Sequence, residues 1–350
     1  MDLAPTTRDE LAAMLQEASA HGRVLDIRGG GLHSRRGRPF TPDDTILTRG
    51  LSRVVDYVPD DMTITVEGGV TIAEILAAIG GHRQAWPQAP ADPTATVGGV
   101  LAAAVSGRRR LRDGPVRDSL LEVVVATGDG RIIKGGGRTV KTVTGYDLPR
   151  LLTGSLGTLG VIVQATLRVW PVPMAEQWFT AHGDDGDMLA IAHGVLAGRH
   201  RPAAVILTPG AAHVCLTGVP DDMVAPPGMA EGSEPVAPMG PGTVQMGVPP
   251  AALPAVVRHL SLEARPFEAW LGTGICHVIA HDAADVTAVR DLATSHSGHA
   301  QVVDGDDALR ADPFGPVPAG ADIMRHLRSS FDPAGILCPG RFAAAAPVPA

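Results

Sequence analysis

Leu121-Glu122-Val123-Val124-Val125-Ala126 and Arg131-Ile132-Ile133-Lys134 flank a bend that contains Asp129-Gly130. Two short β-rich runs around an Asp-Gly pair are a strong hairpin signal, because these residues accept the positive φ that tight hairpin turns require. A hairpin joins antiparallel neighbours. This stretch therefore breaks the βαβ alternation that a parallel Rossmann sheet needs, and the predicted fold class is α+β.

The flanking sequence supports the same class. Residues 7–22 read as a helix: Thr7 and Glu10 form a capping box, Leu11, Met14, Leu15 and Ala18 recur at helical spacing, and Gly22 stops it. An apolar run at 24–27 reads as a strand and ends in Arg28-Gly29-Gly30-Gly31. Strand-like alternation at 62–66 leads through Gly68-Gly69 to a second helix, where Thr71 and Glu74 make another capping box. Residues 161–169 are a β-branched strand closed by Trp170-Pro171.

Beyond 171, residues 204–208 and 213–216 suggest a hairpin around Pro209-Gly210. Residues 220–250 hold eight prolines and five glycines, a density that predicts a long mobile loop or insertion. A helix at 251–262, a strand at 274–280 and a helix at 322–330 follow.

Composition limits the function. The 350 residues contain 29 basic and 37 acidic side chains, a net charge of −8, which argues against nucleic acid as a partner. Cys215, Cys276 and Cys338 are isolated, so neither a disulfide framework nor a structural metal site is expected. No apolar leader and no run of ~20 apolar residues is present, so no transmembrane segment is expected and the predicted location is the cytoplasm.

Glycine-rich bends are the main chemical signal. Arg28-Gly29-Gly30-Gly31, Thr94-Ala95-Thr96-Val97-Gly98-Gly99, Ser106-Gly107 with Gly114-Pro115-Val116-Arg117-Asp118, and Gly154-Ser155-Leu156-Gly157-Thr158-Leu159-Gly160 all lie at element ends. Lacking Cβ atoms, such bends let backbone N–H groups approach an anion, a pyrophosphate above all. Each alone also reads as an ordinary turn; the set suits an extended phosphate-bearing cofactor. The first loop lacks GxGxxG, which argues against a nicotinamide cofactor.

Together with Thr65-Val66-Glu67-Gly68-Gly69-Val70 and Gly160-Val161-Ile162, these pieces make residues 1–172 resemble the PCMH-type FAD-binding domain of the vanillyl-alcohol-oxidase superfamily. The segment Lys141-Thr142-Val143-Thr144-Gly145-Tyr146-Asp147-Leu148 and the tail Phe331-Asp332-Pro333-Ala334-Gly335-Ile336-Leu337-Cys338-Pro339-Gly340-Arg341 resemble, more narrowly, the FAD-binding E subunits of bacterial glycolate oxidases. The resemblance implies a two-subdomain FAD-binding fold over 1–172, a small cap-like α/β region over 173–326 for substrate or partner, and a segment at 327–350 returning to the flavin. By that carry-over Arg28, Gly29, Gly30, Gly31, Leu32, Thr96, Val97, Gly98 and Gly99 hold the pyrophosphate and ribityl region. Ser106, Gly107, Arg117 and Asp118 lie along the cofactor, Gly160 and Val161 meet the adenosine end, and Tyr146 and the tail approach the flavin ring. The family carries Asn where Cys338 stands, and a thiol there could be a small apolar filler.

Some superfamily members attach flavin through a His directly after the first glycine pair; here Leu32 follows Gly31 and His33 comes one place later, so FAD is expected to be non-covalent. His277 and His281 would share one strand face and could bind metal, for which Asp282 is the only nearby carboxylate, serve as acid/base groups, or be sheet-surface histidines. Arg341 could steer a substrate carboxylate or close the C-terminal segment by a salt bridge. The run Arg108-Arg109-Arg110-Leu111-Arg112 is either a solvated loop, or a docking patch for an acidic partner subunit or a ribityl-phosphate neighbour. Arg138 and Lys141 read as surface cations.

The resemblance thus implies an FAD-dependent oxidoreductase subunit acting on a 2-hydroxy acid such as glycolate. It would work beside a related flavin subunit and an iron–sulfur subunit, reaching the inner face of the membrane only through them. A cluster typically needs four cysteines and this chain has three, so electrons must leave it. The alternative is a non-catalytic flavin-binding or structural subunit of such a complex.

Overall fold

The structure, a computed structural model, describes residues 1–138, 146–236 and 240–342. The chain divides into two compact units: Met1–Gly107, Pro115–Val172 and Pro316–Ala350 form unit 1, and Arg108–Gly114 with Pro173–Gly315 form unit 2. The expected division at 326/327 differs from the observed 315/316, and the expected first domain included the short 108–114 segment that belongs to unit 2.

In unit 1 the helix Arg8–His21 starts at Thr7, whose hydroxyl accepts the Glu10 N–H, and stops at Gly22 in the left-handed conformation (φ +64°). Only half of the expected capping box forms there, because the Glu10 carboxylate reaches past Thr7 to the N–H and hydroxyl of Thr6. At Thr71 the box is complete, with Glu74 accepting the Thr71 N–H, and it starts the helix Ile72–Gly80.

Two sheets organise this unit. Asp44–Leu47 is the centre of a three-stranded parallel sheet, between Asp2–Leu3 and Leu25–Arg28. The second sheet is antiparallel, ordered Val54–Val58, Thr63–Glu67, Val161–Arg168, Leu120–Ala126, Ile132–Gly136. Its last pair is the expected Asp129-Gly130 hairpin, in register from Glu122 opposite Gly136 to Ala126 opposite Ile132. Val161–Arg168 is buried on both faces, as a continuous apolar strand must be. Ile162, Ala165 and Leu167 pack towards Ile75 and Val100, while Val161 and Val163 pack with Leu11, Leu15 and Ile46. Ile336 and Leu337 join that second core, and Leu25 and Leu337 form a parallel bridge. The C-terminal tail is thus seated beside the strand that carries the first glycine loop. Trp170-Pro171, expected only to close a strand, also pairs with Gln84-Ala85.

Unit 2 is an antiparallel eight-stranded sheet with the helices Asp185–Ala197, Leu253–Leu262 and Ala283–Ser295 packed into one core on it. The hairpin Ala204–Thr208 with Ala211–Gly218 forms as expected. The loop expected over 220–250 does not hold throughout. Thr243–Gly247 is an interior strand between Ile275–Ile279 and His299–Asp304, and Ala230–Gly232 is an edge strand. The reason is local: the five residues 243–247 contain no proline, and Val244 and Met246 are fully buried, whereas averaging over 31 residues hid them. The overall reading is mixed helix and sheet, the α+β class expected.

Candidate functional site

The site is built in unit 1 from bends whose missing side chains let backbones touch. A Cβ on Gly29 would lie 2.0 Å from the Thr96 hydroxyl, one on Gly98 would lie 2.9 Å from the Gly68 carbonyl, and one on Gly68 would lie 2.1 Å from the Ile162 carbonyl. Gly160 has a φ of +149°, which favours glycine, and a Cβ there would meet Val125 at 2.6 Å. The glycines are therefore needed first by the chain itself, to draw the three loops together.

They line an open groove. It is lined by Arg28, Gly29, Gly30, Gly31, Leu32, Thr96, Gly98, Gly99, Gly160, Val161 and Arg341 of the expected residues, and also by Ile27, His33, Ser34, Thr48, Ala102, Leu156, Gly157 and others. The lining contains two arginines and one histidine and no carboxylate, although the chain as a whole is acidic. The N–H groups of Gly30, Gly31 and Leu32 donate to no atom among the described residues, so the first loop presents open donors. At the second bend the donors are used internally: Val97, Gly98 and Gly99 donate to Val70, Gly68 and the Thr96 hydroxyl. That bend shapes the groove by its surface rather than by its amides.

Behind the first loop lies a charged network. Asp26 is 2% exposed and accepts from Arg28 Nε at 2.6 Å and from Arg341 Nη2 at 3.0 Å. The Arg341 guanidinium stands over the Phe40 ring, 5.0 Å from its centroid, and its backbone carbonyl accepts the Arg38 N–H. Cys338 is buried at φ +43°, a conformation Asn tolerates better than most residues, and burial pushes its thiol up to about 11. His33 is held neutral: burial first, then the Arg36 charge, against Asp92, pushes it down to about 4.

The remaining expected residues lie outside the groove lining. Val97 is fully buried in the core. The Ser106 hydroxyl accepts the Val116 N–H, and the Gly107 N–H is given to Gln88. Arg117 and Asp118 pair with one another at 3.5 Å, half-exposed. Tyr146 is 92% exposed, and residues 141–145 before it lie outside the described residues. Arg138 pairs with Asp56 on the surface.

His277 belongs to unit 2, where it is 7% exposed, lies edge-on to Trp270 at 5.1 Å and stands opposite Glu268 in register. His281 is exposed beyond the end of the strand Ile275–Ile279, so the shared strand face does not form. Within unit 2 the basic run is held by ion pairs and hydrogen bonds rather than left as a solvated loop. Arg108 makes two bonds to buried Glu268 and one to Glu234, Arg109 pairs with Glu176 and Asp113, and Arg112 donates to Thr217. Burial tends to raise the Glu268 carboxyl, but the Arg108 bonds and charge, with the Trp270 indole N–H, hold it below the usual range.

Sequence reading missed Asp26, although a lone acid inside an apolar strand was a usable signal. It also missed Thr48 and Leu156, which carry none.

A solved structure of alkyldihydroxyacetonephosphate synthase superposes with a TM-score of 0.67 at 15% identity, covering 97% of this chain and 76% of that one. In sequence, the D-lactate dehydrogenase of Archaeoglobus fulgidus is 35% identical over 167 residues, 48% of this chain and 38% of its own length. The glycolate oxidase subunit GlcE of Escherichia coli is 35% identical over 168 residues, 47% of this chain and 48% of its own length. The glycolate oxidase subunit GlcD of Bacillus subtilis is 32% identical over 192 residues, 54% of this chain and 40% of its own length. The chain thus spans less than half the length of these curated relatives. Residues 2–136 match the model of the FAD binding domain family. The likeness to the FAD binding domain family is thus confined to residues 2–136, and the likeness to the synthase structure is one of fold.

Proposed function

We propose that the groove holds FAD non-covalently and that the chain is an FAD-linked subunit of a glycolate oxidase-like complex, oxidising the CH–OH group of a 2-hydroxy acid. The observation that carries the reading is the convergence of three side-chain-poor bends on a groove with open N–H donors and only cationic charge. Such a wall fits a diphosphate, since oriented amides and guanidinium groups neutralise it without a large basic surface. Arg28 and residues 29–32 would face the phosphates, and Gly160 and Val161 the adenosine end. When bound, the flavin supplies the acceptor for hydride from the hydroxyl-bearing carbon.

The partners are a related flavin subunit and an iron–sulfur subunit. The three cysteines of this chain are each buried and unpaired, whereas a cluster typically needs four ligands. Among the described residues no helix is long and apolar enough to cross a membrane, in keeping with a cytoplasmic subunit that meets the membrane through its partners.

The second reading, a subunit that binds flavin or stabilises the complex and leaves the chemistry to a partner, is favoured by one observation. Arg341, a candidate cation for a substrate carboxylate, is held by Asp26 within the cofactor groove. Anaerobic addition of glycolate or D-lactate to the yellow, purified chain separates the two. Bleaching of the flavin absorbance supports oxidation by this chain; bound but unreduced flavin supports the second reading; a colourless chain that takes up no FAD ends both.

A further inference from the structure

We propose that Arg341 is the side chain that recognises the diphosphate of FAD, with Asp26 as the strut that aims it. This deepens the reading of the groove as an FAD site and rests on it.

Arg341 is 7% exposed and lines the groove, yet its Nε is buried and has no hydrogen-bond partner among the described residues. A buried guanidinium donor left unpaired is costly, and an oxygen of a ligand seated in the groove would relieve it. One other arm is already used, since Nη2 donates to Asp26 at 3.0 Å. Asp26 is itself shared with Arg28, so the two guanidinium groups outnumber the one carboxylate and leave a net positive charge at the wall. The side chain is held rigidly. Phe40 lies against the guanidinium, Gly37 leaves room for the Arg341 Cγ that a Cβ would meet at 2.6 Å, and the Arg341 carbonyl takes the Arg38 N–H. A fixed, desolvated cation with a spare N–H matches a phosphate oxygen. It does not match the neutral ring of a riboflavin.

The experiment titrates the apo-chain with FAD, ADP and riboflavin, for wild type, R341M and R341K, with melting temperatures as a check on folding. Expected is a loss of about tenfold to a hundredfold in both FAD and ADP affinity for R341M, with riboflavin binding unchanged. R341K, which keeps the charge and can keep the Asp26 pair, should lose less. Should R341M not fold, arginine ¹⁵Nε NMR on the wild-type chain decides: a buried Nε–H resonance absent from R341K should move on adding ADP and stay still on adding riboflavin. Unchanged ADP affinity in R341M, an equal loss for riboflavin, or a resonance indifferent to ADP overturns the assignment while the FAD reading stands. A wild-type chain that binds neither FAD nor ADP removes both.

Discussion

Replacing Gly29 with Ala tests the meeting of the first two bends directly. Gly29 sits at an ordinary φ, so alanine there brings no backbone strain, only a methyl 2.0 Å from Thr96 Oγ1. Contact at van der Waals distance needs over an ångström more. Thr96 is 1% exposed and is the N-cap of the helix Val97–Ala102, its hydroxyl accepting the Gly99 N–H. Turning that hydroxyl away removes the cap, about 1 kcal/mol, and crowding the buried site adds ~1–3 kcal/mol. The total is roughly 2–4 kcal/mol, or a fall of about 4–16 °C in the melting temperature of a unit of this size. Thr96→Ala alone costs about 1 kcal/mol for the cap. In the double variant the clash with Oγ1 is gone and the nearest contact is the Thr96 Cβ at 3.1 Å, so the two changes should cost ~1–2 kcal/mol less than their sum. Urea unfolding of the four apo-chains completes the cycle. Additivity within ~0.5 kcal/mol would show that the bends do not touch, and the groove built from them would fall with it.

Other outcomes follow from the same geometry. His33 binds its proton less tightly folded (about 4) than unfolded (6.5), so its contribution to stability is full above pH 6.5 and is lost as pH falls through 4. H33Q should flatten the urea midpoint between those pH values by an amount equivalent to roughly 3 kcal/mol, and an unchanged slope refutes the burial. Burial raises the Asp332 carboxyl despite its bonds to Leu337 and Ile336, so here the sign reverses: stability is full below pH 3.8 and falls as pH rises through the raised value, and D332N should remove that slope while leaving one buried N–H unpaired, at ~1–3 kcal/mol. Arg108→Met strands the Glu268 carboxylate, 1% exposed, and should destabilise unit 2 by about 3–5 kcal/mol, most of it recovered by adding E268Q; a silent R108M would contradict the ion pair. Acid precipitation of the flavin-loaded chain should leave all the flavin in the supernatant, and yellow precipitate would contradict non-covalent binding.

Local signals carried much of the fold. The Asp129-Gly130 turn, the Thr71 cap and the Gly22 stop are determined within four or five residues, and each stands where its chemistry requires. Thr243–Gly247 was obscured because its strand status comes from two neighbouring strands, while its own surroundings are rich in proline. The site was legible where close approach or a positive φ demands glycine, at Gly29, Gly30, Gly31, Gly98 and Gly160. It was illegible where the partner is far along the chain. Arg108 to Glu268 and Asp26 to Arg341 are separated by 160 and 315 residues, and no local pattern announces such pairs.

The seating of residues 336–341 against Leu25 has a consequence for biogenesis. One wall of the cofactor groove is made from two lengths of chain, with the whole of unit 2 encoded between them. A nascent polypeptide that has emerged only as far as 335 already carries its glycine bends, but it lacks Arg341, one of the two arginines that pair with Asp26. Prosthetic-group capture therefore belongs after translation of the tail, and prematurely terminated products should emerge as apoprotein.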